Sequence, residues 1–374
     1  MALRRDVPYR LVIWGPGEVG SAVARAAFED PAFEIVGAKV RKSAKHGADV
    51  GELVGLGAIG VSATVNAEDV IALQPDCVIV TPSPAAVMKG LDDDVIALLE
   101  SGVNVVSTAA YHNVSMPNWL SAFRATPERL LQACQAGGAT LFGTGVHPTF
   151  IVERLAMTMA GAMSVTTHVR AVEAVDFSRA PASMWGGLAA LGFGAELDTL
   201  DASCPVARGG DLYYGDLTGN VAHALYGASN DEVRVETAFR GLPAVRDAVI
   251  GSTTIAQGTA AALHLTHRGF LGEHHFFTNE ECWYLAPELV YRGDDLPFGG
   301  FTAPVSYTLV LSGEPAEMRA QFEFGSPTGR VSPITNASVR AVLDAVPAVC
   351  TAEPGILIDD PAPRYRHDPR VSLR

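Results

Sequence analysis

Short apolar runs alternate with amphipathic stretches along the first 145 residues. Arg10–Trp14, Phe33–Val40, Gly60–Thr64, Asp76–Val80, Asn104–Val106 and Ala139–Phe142 read as strands, and Glu18–Phe28, Ala85–Glu100 and Pro127–Ala136 carry helical spacing. Strands without a polar face, separated by helices, predict a doubly wound parallel sheet, an α/β Rossmann domain. After Gly145 the period changes. A helix is expected over Pro148–Gly161, and beyond it residues two apart share their character. Val233, Val235, Thr237 and Phe239 would share one face of a strand; Val305, Tyr307, Leu309 and Leu311 would do the same in another. This alternation predicts an α+β domain with a half-buried, largely antiparallel sheet. The chain turns helical again at Asn336–Val346 and then becomes proline-rich. The expected division is 1–146 for the Rossmann domain, 147–330 for a substrate-binding and dimerisation domain, and 331–374 for a helix and tail returning to the first domain.

Strand Leu11–Trp14 runs into Gly15-Pro16-Gly17-Glu18-Val19-Gly20, a GxGxxG turn opening a helix. The first glycine permits the tight turn, the second lets the backbone approach a pyrophosphate, and the third allows close helix–strand packing. Helix N-terminal N–H groups then face the phosphates. The strand–turn–helix context makes this a dinucleotide site. A site for NAD usually carries a carboxylate about 20 residues further on, on the ribose 2′-OH. Here the second strand ends Lys39-Val40-Arg41-Lys42-Ser43, where Lys39, Arg41, Lys42 and Ser43 either pair with the 2′-phosphate of NADP or form a solvated basic loop. NADP is therefore expected ahead of NAD. Thr81-Pro82 and Ser107-Thr108 follow the fourth and fifth strands at the carboxyl end of the sheet, as cofactor contacts or as turn chemistry.

Composition narrows the classes. The 374 residues are 48% hydrophobic and 18% charged, which suits two packed domains. A formal net charge of -14 without a basic block argues against nucleic acid as a partner. The N-terminus lacks the apolar core of a signal peptide, and no run of about 18 apolar residues suggests a membrane span. Five scattered cysteines without metal spacing fit buried thiols in a reducing cytoplasm. His264 and His267, three apart on a strand, would face opposite sides, so no metal site is expected. The aromatic group Phe276, Phe277, Trp283 and Tyr284 suits a core or a dimer interface, and a homodimer is expected from the half-exposed sheet.

The junction Gly143-Thr144-Gly145-Val146-His147-Pro148-Thr149-Phe150, with Glu173–Ser178 (EAVDFS), Leu191–Gly194 (LGFG) and Ala345–Leu357 (AVPAVCTAEPGIL), resembles proteins with a dihydrodipicolinate-reductase-like N-terminal domain. Within that group it resembles the branch of 2,4-diaminopentanoate dehydrogenase and the native amine dehydrogenases. The resemblance implies an NAD(P)H-dependent oxidoreductase that reduces a C=O or C=N bond of a small substrate, with the active cleft between two domains. Reductive amination is its family-guided form, and a ketone or aldehyde reductase is the nearest variant. Two departures stand out. His274-His275 is followed by Phe276-Phe277 instead of the basic residues of the true reductases, and the glutamate that the amine-dehydrogenase branch carries shortly after the fifth-strand Ser-Thr is missing from Ser107-Thr108-Ala109-Ala110-Tyr111-His112. A non-catalytic NADP(H) sensor or scaffold remains the alternative.

Hydride chemistry needs a proton donor for the heteroatom. Tyr111 and His112 occupy the position of the family's acid and either supply the proton or cover the loop. His147, at the domain junction, either touches the nicotinamide or caps its turn. Glu173 and Asp176, after a strand of the second domain, could bind an amine or activate water. Ser183 and Trp185 lie in the segment that walls the family's substrate pocket, and Met184–Leu188 gives that pocket an apolar character.

Overall fold

Leu11, Val12 and Ile13 have no exposed surface, because their strand is covered on both faces. The computed structural model describes residues 7–81, 84–119, 121–179, 187–290, 303–325 and 333–358. Two compact units emerge, one running to Phe150 and resuming at Thr335, the other spanning Ile151–Ile334.

In the first unit β1 (Tyr9–Trp14), α1 (Glu18–Glu29), β2 (Phe33–Lys39), α2 (Val50–Val54), β3 (Ala63–Thr64) and α3 (Ala67–Ala72) come first. Next come β4 (Cys77–Val80), α4 (Leu91–Glu100), β5 (Asn104–Ser107), α5 (Pro127–Gly137) and β6 (Thr140–Gly143). The second unit holds α6 (Met157–Ala160), β7 (Val165–Asp176), α7 (Leu188–Leu191), α8 (Pro205–Gly210), α9 (Asp216–Tyr226) and β8 (Val233–Pro243). It continues with β9 (Ala248–Ile250), β10 (Thr253–Ile255), β11 (Ala260–Leu271), β12 (His274–Tyr284), β13 (Val305–Glu314) and β14 (Met318–Phe324). Finally α10 (Pro333–Thr351) and β15 (Gly355–Leu357) complete the first unit.

The first sheet is parallel throughout, in the order β15-β6-β5-β4-β1-β2-β3. From its other edge this is the 3-2-1-4-5-6 order of dinucleotide-binding folds, extended by β15. The order reverses between β1 and β4, where such folds bind ligands. Val339, Val342, Leu343, Val346 and Val349 of α10 join the core formed by Leu11, Ile13, Val23 and Ile79.

The second sheet has the order β14-β13-β7-β12-β11-β8, and β7 with β12 is its parallel pair. Along β8, Val233, Val235 and Thr237 are partly buried while Arg234, Glu236 and Ala238 are exposed, the alternation the sequence predicts. β13 departs from it: Val305–Leu309 is buried at every position. Ser306 and Thr308 are short and stand between Glu323 and Gln321 of β14 and Ala174 and Val172 of β7, so their face is shielded too.

Local departures have local causes. The helix expected over Ala85–Glu100 is divided at Gly90, whose φ of +81° ends a 3-10 turn before α4 begins. The Gly60–Thr64 run joins the sheet only at Ala63–Thr64, and Ser62 makes an isolated antiparallel bridge to Asp49. The helix expected over Pro148–Gly161 takes wide π-type turns over Val146–Ala156 before α6. Cys77, Cys134 and Cys282 are buried as expected, but Cys204 and Cys350 are only partly so; all five are free thiols. Among the described residues no helix is long and apolar enough to cross a membrane.

Candidate active site

Gly15 has φ +88°, a conformation that glycine adopts without strain. A Cβ at Gly20 would lie 2.4 Å from the Gly15 carbonyl oxygen and 2.5 Å from the Thr81 hydroxyl, so α1 packs at a distance that excludes any side chain. At Gly17 a Cβ would meet only the Gly15 carbonyl oxygen, at 3.9 Å, and the approach stays open. Glu18 and Val19 form the first turn of α1, whose amide groups point out of the sheet's carboxyl end. The Thr81 hydroxyl donates to the carbonyls of Trp14 (3.1 Å) and Gly15 (2.9 Å), tying the glycine turn to β4. This arrangement fits a bound pyrophosphate.

A cavity of about 440 Å³ opens on this turn, lined by Trp14, Gly15, Pro16, Gly17 and Thr81, and by Lys39, Arg41, Lys42 and Lys45 from the end of β2. Lys89 and Asp94 complete the rim from the α4 side. Lys39 is already engaged: its Nζ lies 2.7 Å from Asp94 Oδ2 and 4.1 Å from the centre of the Trp14 ring. Arg41 and Lys42 are exposed. Ser43 is exposed beside the cavity at the start of the Ser43–Lys45 turn, and Pro82 lies outside the described residues. Sequence reasoning missed Trp14, Lys45, Lys89 and Asp94. Trp14 directly before the first glycine and the acidic run Asp92-Asp93-Asp94 were the available signals.

The loop after β5 turns inward. The fully buried Ser107 hydroxyl donates to the Ala109 carbonyl (2.7 Å) and accepts from the Ala109 amide (3.1 Å), while the Thr108 amide donates to the Val80 carbonyl. Ala110 and Tyr111 both have positive φ, +67° and +65°. That backbone sends the Tyr111 ring into the protein, where its hydroxyl donates to Asp92 Oδ1 at 2.5 Å. The Ala125 amide donates to Asp92 Oδ2, and the Arg124 guanidinium lies 5.0 Å from the Tyr111 ring centre. Burial, and next the Asp92 charge, hold the Tyr111 phenol well above its ordinary pKa. Its proton is thus committed to Asp92. His112 is buried beside Thr149, 3.4 Å from its hydroxyl. Burial, with the neighbouring His147 and Arg124, pushes the His112 imidazole down to about 3, so it is neutral in ordinary conditions. His147 is half-buried in the first of the wide turns.

In the second unit Glu173 sits in a row across three strands. Register places Tyr307 of β13 opposite it on one side and Glu281 of β12 on the other. Tyr307 donates to Glu173 Oε2 (2.5 Å) and the Trp283 indole to Oε1 (3.2 Å); Asn279 donates to Glu281 Oε1 (2.8 Å). A carboxyl oxygen of Glu281 lies within 4.8 Å of one of Glu173, and burial with the Glu173 charge raises the Glu281 pKa well above the ordinary carboxyl range. Sequence reasoning found Glu173 but not its partners. The signal was a carboxylate doublet, Glu280-Glu281, inside the apolar run Phe276–Leu285. Asp176, by contrast, accepts from the Ser178 amide and hydroxyl and from the Ala286 amide, and so anchors its loop. Phe276, Phe277 and Tyr284 are buried, while Trp283 packs edge-on against Phe177. Ser183 and Trp185 lie outside the described residues.

His264 and His267 take partners on opposite faces of β11: His264 pairs with Glu280 (2.8 Å), His267 with Asp211 (2.9 Å). His264, Glu280 and Cys282 hold donor atoms within 4.8 Å of one another. The carboxylate there is already neutralised by Arg170 at 2.6 Å. Burial works to raise Glu280, yet the hydrogen bonds from His264 and Arg170 win and hold it down at about 2.

Comparison with known proteins agrees with this geometry. Residues 9–112 match the family model described as dihydrodipicolinate reductase, N-terminus. The chain is 28% identical over 356 residues to an amine dehydrogenase of Streptomyces virginiae, covering 92% of this chain and 93% of that one. Among solved structures it is similar to amine dehydrogenase from Mycobacterium smegmatis, with a TM-score of 0.69, 21% identity and 98% of each chain covered. It shares the fold, at a TM-score of 0.51 and 15% identity, with a protein of gentamicin A biosynthesis in complex with NAD, over 95% of this chain and 91% of that one. The family resemblance read from the sequence therefore stands.

Proposed function

We propose that this chain, which carries a dihydrodipicolinate-reductase-type N-terminal domain and resembles an amine dehydrogenase along nearly its whole length, is an NAD(P)H-dependent oxidoreductase acting on the C=O or C=N bond of a small substrate. One observation carries the reading: the Gly15–Gly20 turn combines the positive φ of Gly15, the close packing at Gly20 and the open approach at Gly17 that suit a pyrophosphate, and it borders a cavity of about 440 Å³. The full-length similarity to an amine dehydrogenase makes reductive amination the preferred form, with ketone or aldehyde reduction as its variant.

NADP is the proposed cofactor. Arg41, Lys42 and Lys45 stand where a 2′-phosphate would lie, and β2 ends without a carboxylate. A nicotinamide cofactor supplies the hydride when bound. The chain's own work is to hold the pyrophosphate at α1, to fix the glycine turn through Thr81, and to keep His112 and the Tyr111–Asp92 pair uncharged or paired beneath the β5 loop. Five free thiols suit a reducing cytoplasm, and a homodimer is the proposed assembly, to be read by sedimentation.

Titration with NADPH and NADH, read by fluorescence and thermal shift, tests the cofactor assignment. Arg41→Ala combined with Lys42→Ala is expected to weaken NADPH binding roughly 10- to 100-fold, the effect of losing charge-assisted hydrogen bonds, and to leave NADH nearly unchanged. Binding of neither nucleotide by the folded protein would overturn the reading.

A further inference from the structure

Like charges placed directly opposite each other on neighbouring strands repel, and carboxylates taken out of water are costly. Glu173 and Glu281 violate both rules at once: they are register partners on β7 and β12, and Glu281 has no exposed surface. Hydrophobic residues would stabilise the sheet better at these positions. Carboxyl oxygens of the two residues lie within 4.8 Å of one another, and two carboxylates that close and that buried cannot both ionise cheaply, which favours one proton held between them. Trp283 and Tyr307 donate to the two oxygens of Glu173, and Asn279 donates to Glu281 Oε1. Such a set holds a single negative charge over two carboxyl groups, of which Glu173 alone keeps some exposed surface, 8%.

We propose that Glu173 and Glu281 form a carboxyl pair that shares one proton and receives the ammonium group of an amine substrate or product, giving up that proton when the ammonium binds. The inference rests on the oxidoreductase reading for its place in a reaction, but the binding step stands by itself. The balance is simple. A mono-anionic pair plus an alkylammonium ion gives two carboxylates bridged by the ammonium, and one proton leaves to solvent. In the reverse direction the pair regains a proton beside the nitrogen, so the same groups serve as proton donor and acceptor.

Among the described residues of the second unit, groups of four elements face the pair. Tyr307 comes from β13, and Asn279 and Trp283 from β12 itself. Tyr214 comes from the turn Asp211–Gly215. His267 of β11 packs on the Tyr214 ring with Asp211 as its partner. Burial holds the Tyr214 and Tyr307 phenols well above their ordinary pKa, so both remain donors throughout the working range. The acid of the set is therefore the carboxyl pair.

The test is calorimetric titration of the full chain with butylamine near pH ~8, where a primary amine is still an ammonium ion, in two buffers of different ionisation heat. The expected result is release of about one proton per amine bound, abolished in Glu281→Gln. Infrared spectroscopy of the unmodified protein gives a second readout that needs no variant: a carboxylic-acid C=O band that vanishes on saturation with butylamine. Amine binding without proton release, release that persists in Glu281→Gln, or the absence of an acid band would overturn the pair. So would failure to bind amine in protein that binds NADPH. Loss of nucleotide binding alone, with proton-linked amine binding intact, would instead defeat the oxidoreductase reading.

Discussion

At the scale of single residues, the proposed cofactor cavity contains an opposition that bears on the proposed preference for NADP. Lys39 ends β2, where a cation would reach a 2′-phosphate, yet Asp94 of α4 holds it at 2.7 Å. Asp94→Asn removes that hold. It is expected to tighten NADPH several-fold relative to NADH, by freeing one more charge-assisted donor. An unchanged ratio in parallel titrations would mean that Arg41, Lys42 and Lys45 alone set the preference. Tyr111 makes a contrasting case. Its hydroxyl is bound to Asp92 in a buried site, and removing it leaves that acceptor one donor short. Tyr111→Phe should cost about 1–3 kcal/mol in urea denaturation and leave the pH dependence of kcat/KM in place. A lost pH limb in that variant would instead restore the tyrosine as an acid. The glycine turn was fully legible in the sequence because each of its glycines answers a local backbone demand. The orientation of Tyr111 was not, since it depends on positive φ at two non-glycine residues that no spacing reveals.

At the scale of elements, periodicity identified strands and helices wherever a single face decides burial. α1 and α5 run almost as the spacing predicts. The pattern failed where neighbours shield both faces, as in β13, and where the acidic partner of a strand residue comes from elsewhere in the chain. Glu281 is 108 residues from Glu173, and only strand register brings them together. α10 shows packing overriding a local breaker. The sequence predicts an end at Val346, before Pro347, but the helix continues to Thr351. Val346 and Val349 lie fully buried in the first unit's core on either side of the proline, and that burial outweighs the missing amide. Pro347→Ala restores the backbone donor. Allowing for the greater freedom of the unfolded chain, it is expected to stabilise the first unit by about 1–2 kcal/mol, seen as a raised urea midpoint. A lowered midpoint would mean that the helix is bent there to fit its core.

At the scale of the whole molecule, acid sensitivity is built into both units through histidines that must stay neutral to be buried. In the first unit His112 is held at about 3, chiefly by burial, with His147 and Arg124 adding to the effect. In the second His168 is held at about 4 by burial, then by His275 and Arg170. An unfolded histidine takes up a proton near pH ~6.5, whereas these folded ones do not. Between those values the unfolded chain binds more protons, so stability rises with pH and falls as pH is lowered. The contribution is complete above the unfolded pKa and is lost as pH drops from about 6.5 towards 3 for His112 and towards 4 for His168. For His112 the slope approaches ~1.4 kcal/mol per pH unit; partly solvated His168 adds less. Glu281 acts in the opposite sense here, since the folded chain keeps a proton there that the unfolded chain loses, so the histidine part is read by comparison with a variant. Relative to His112→Gln, the parent's urea midpoint should fall more steeply between roughly pH 6.5 and 4.5. Midpoints that fall in parallel in the two proteins would show that His112 is protonated in the folded chain, and its place beside Thr149 would then have to accommodate a charge.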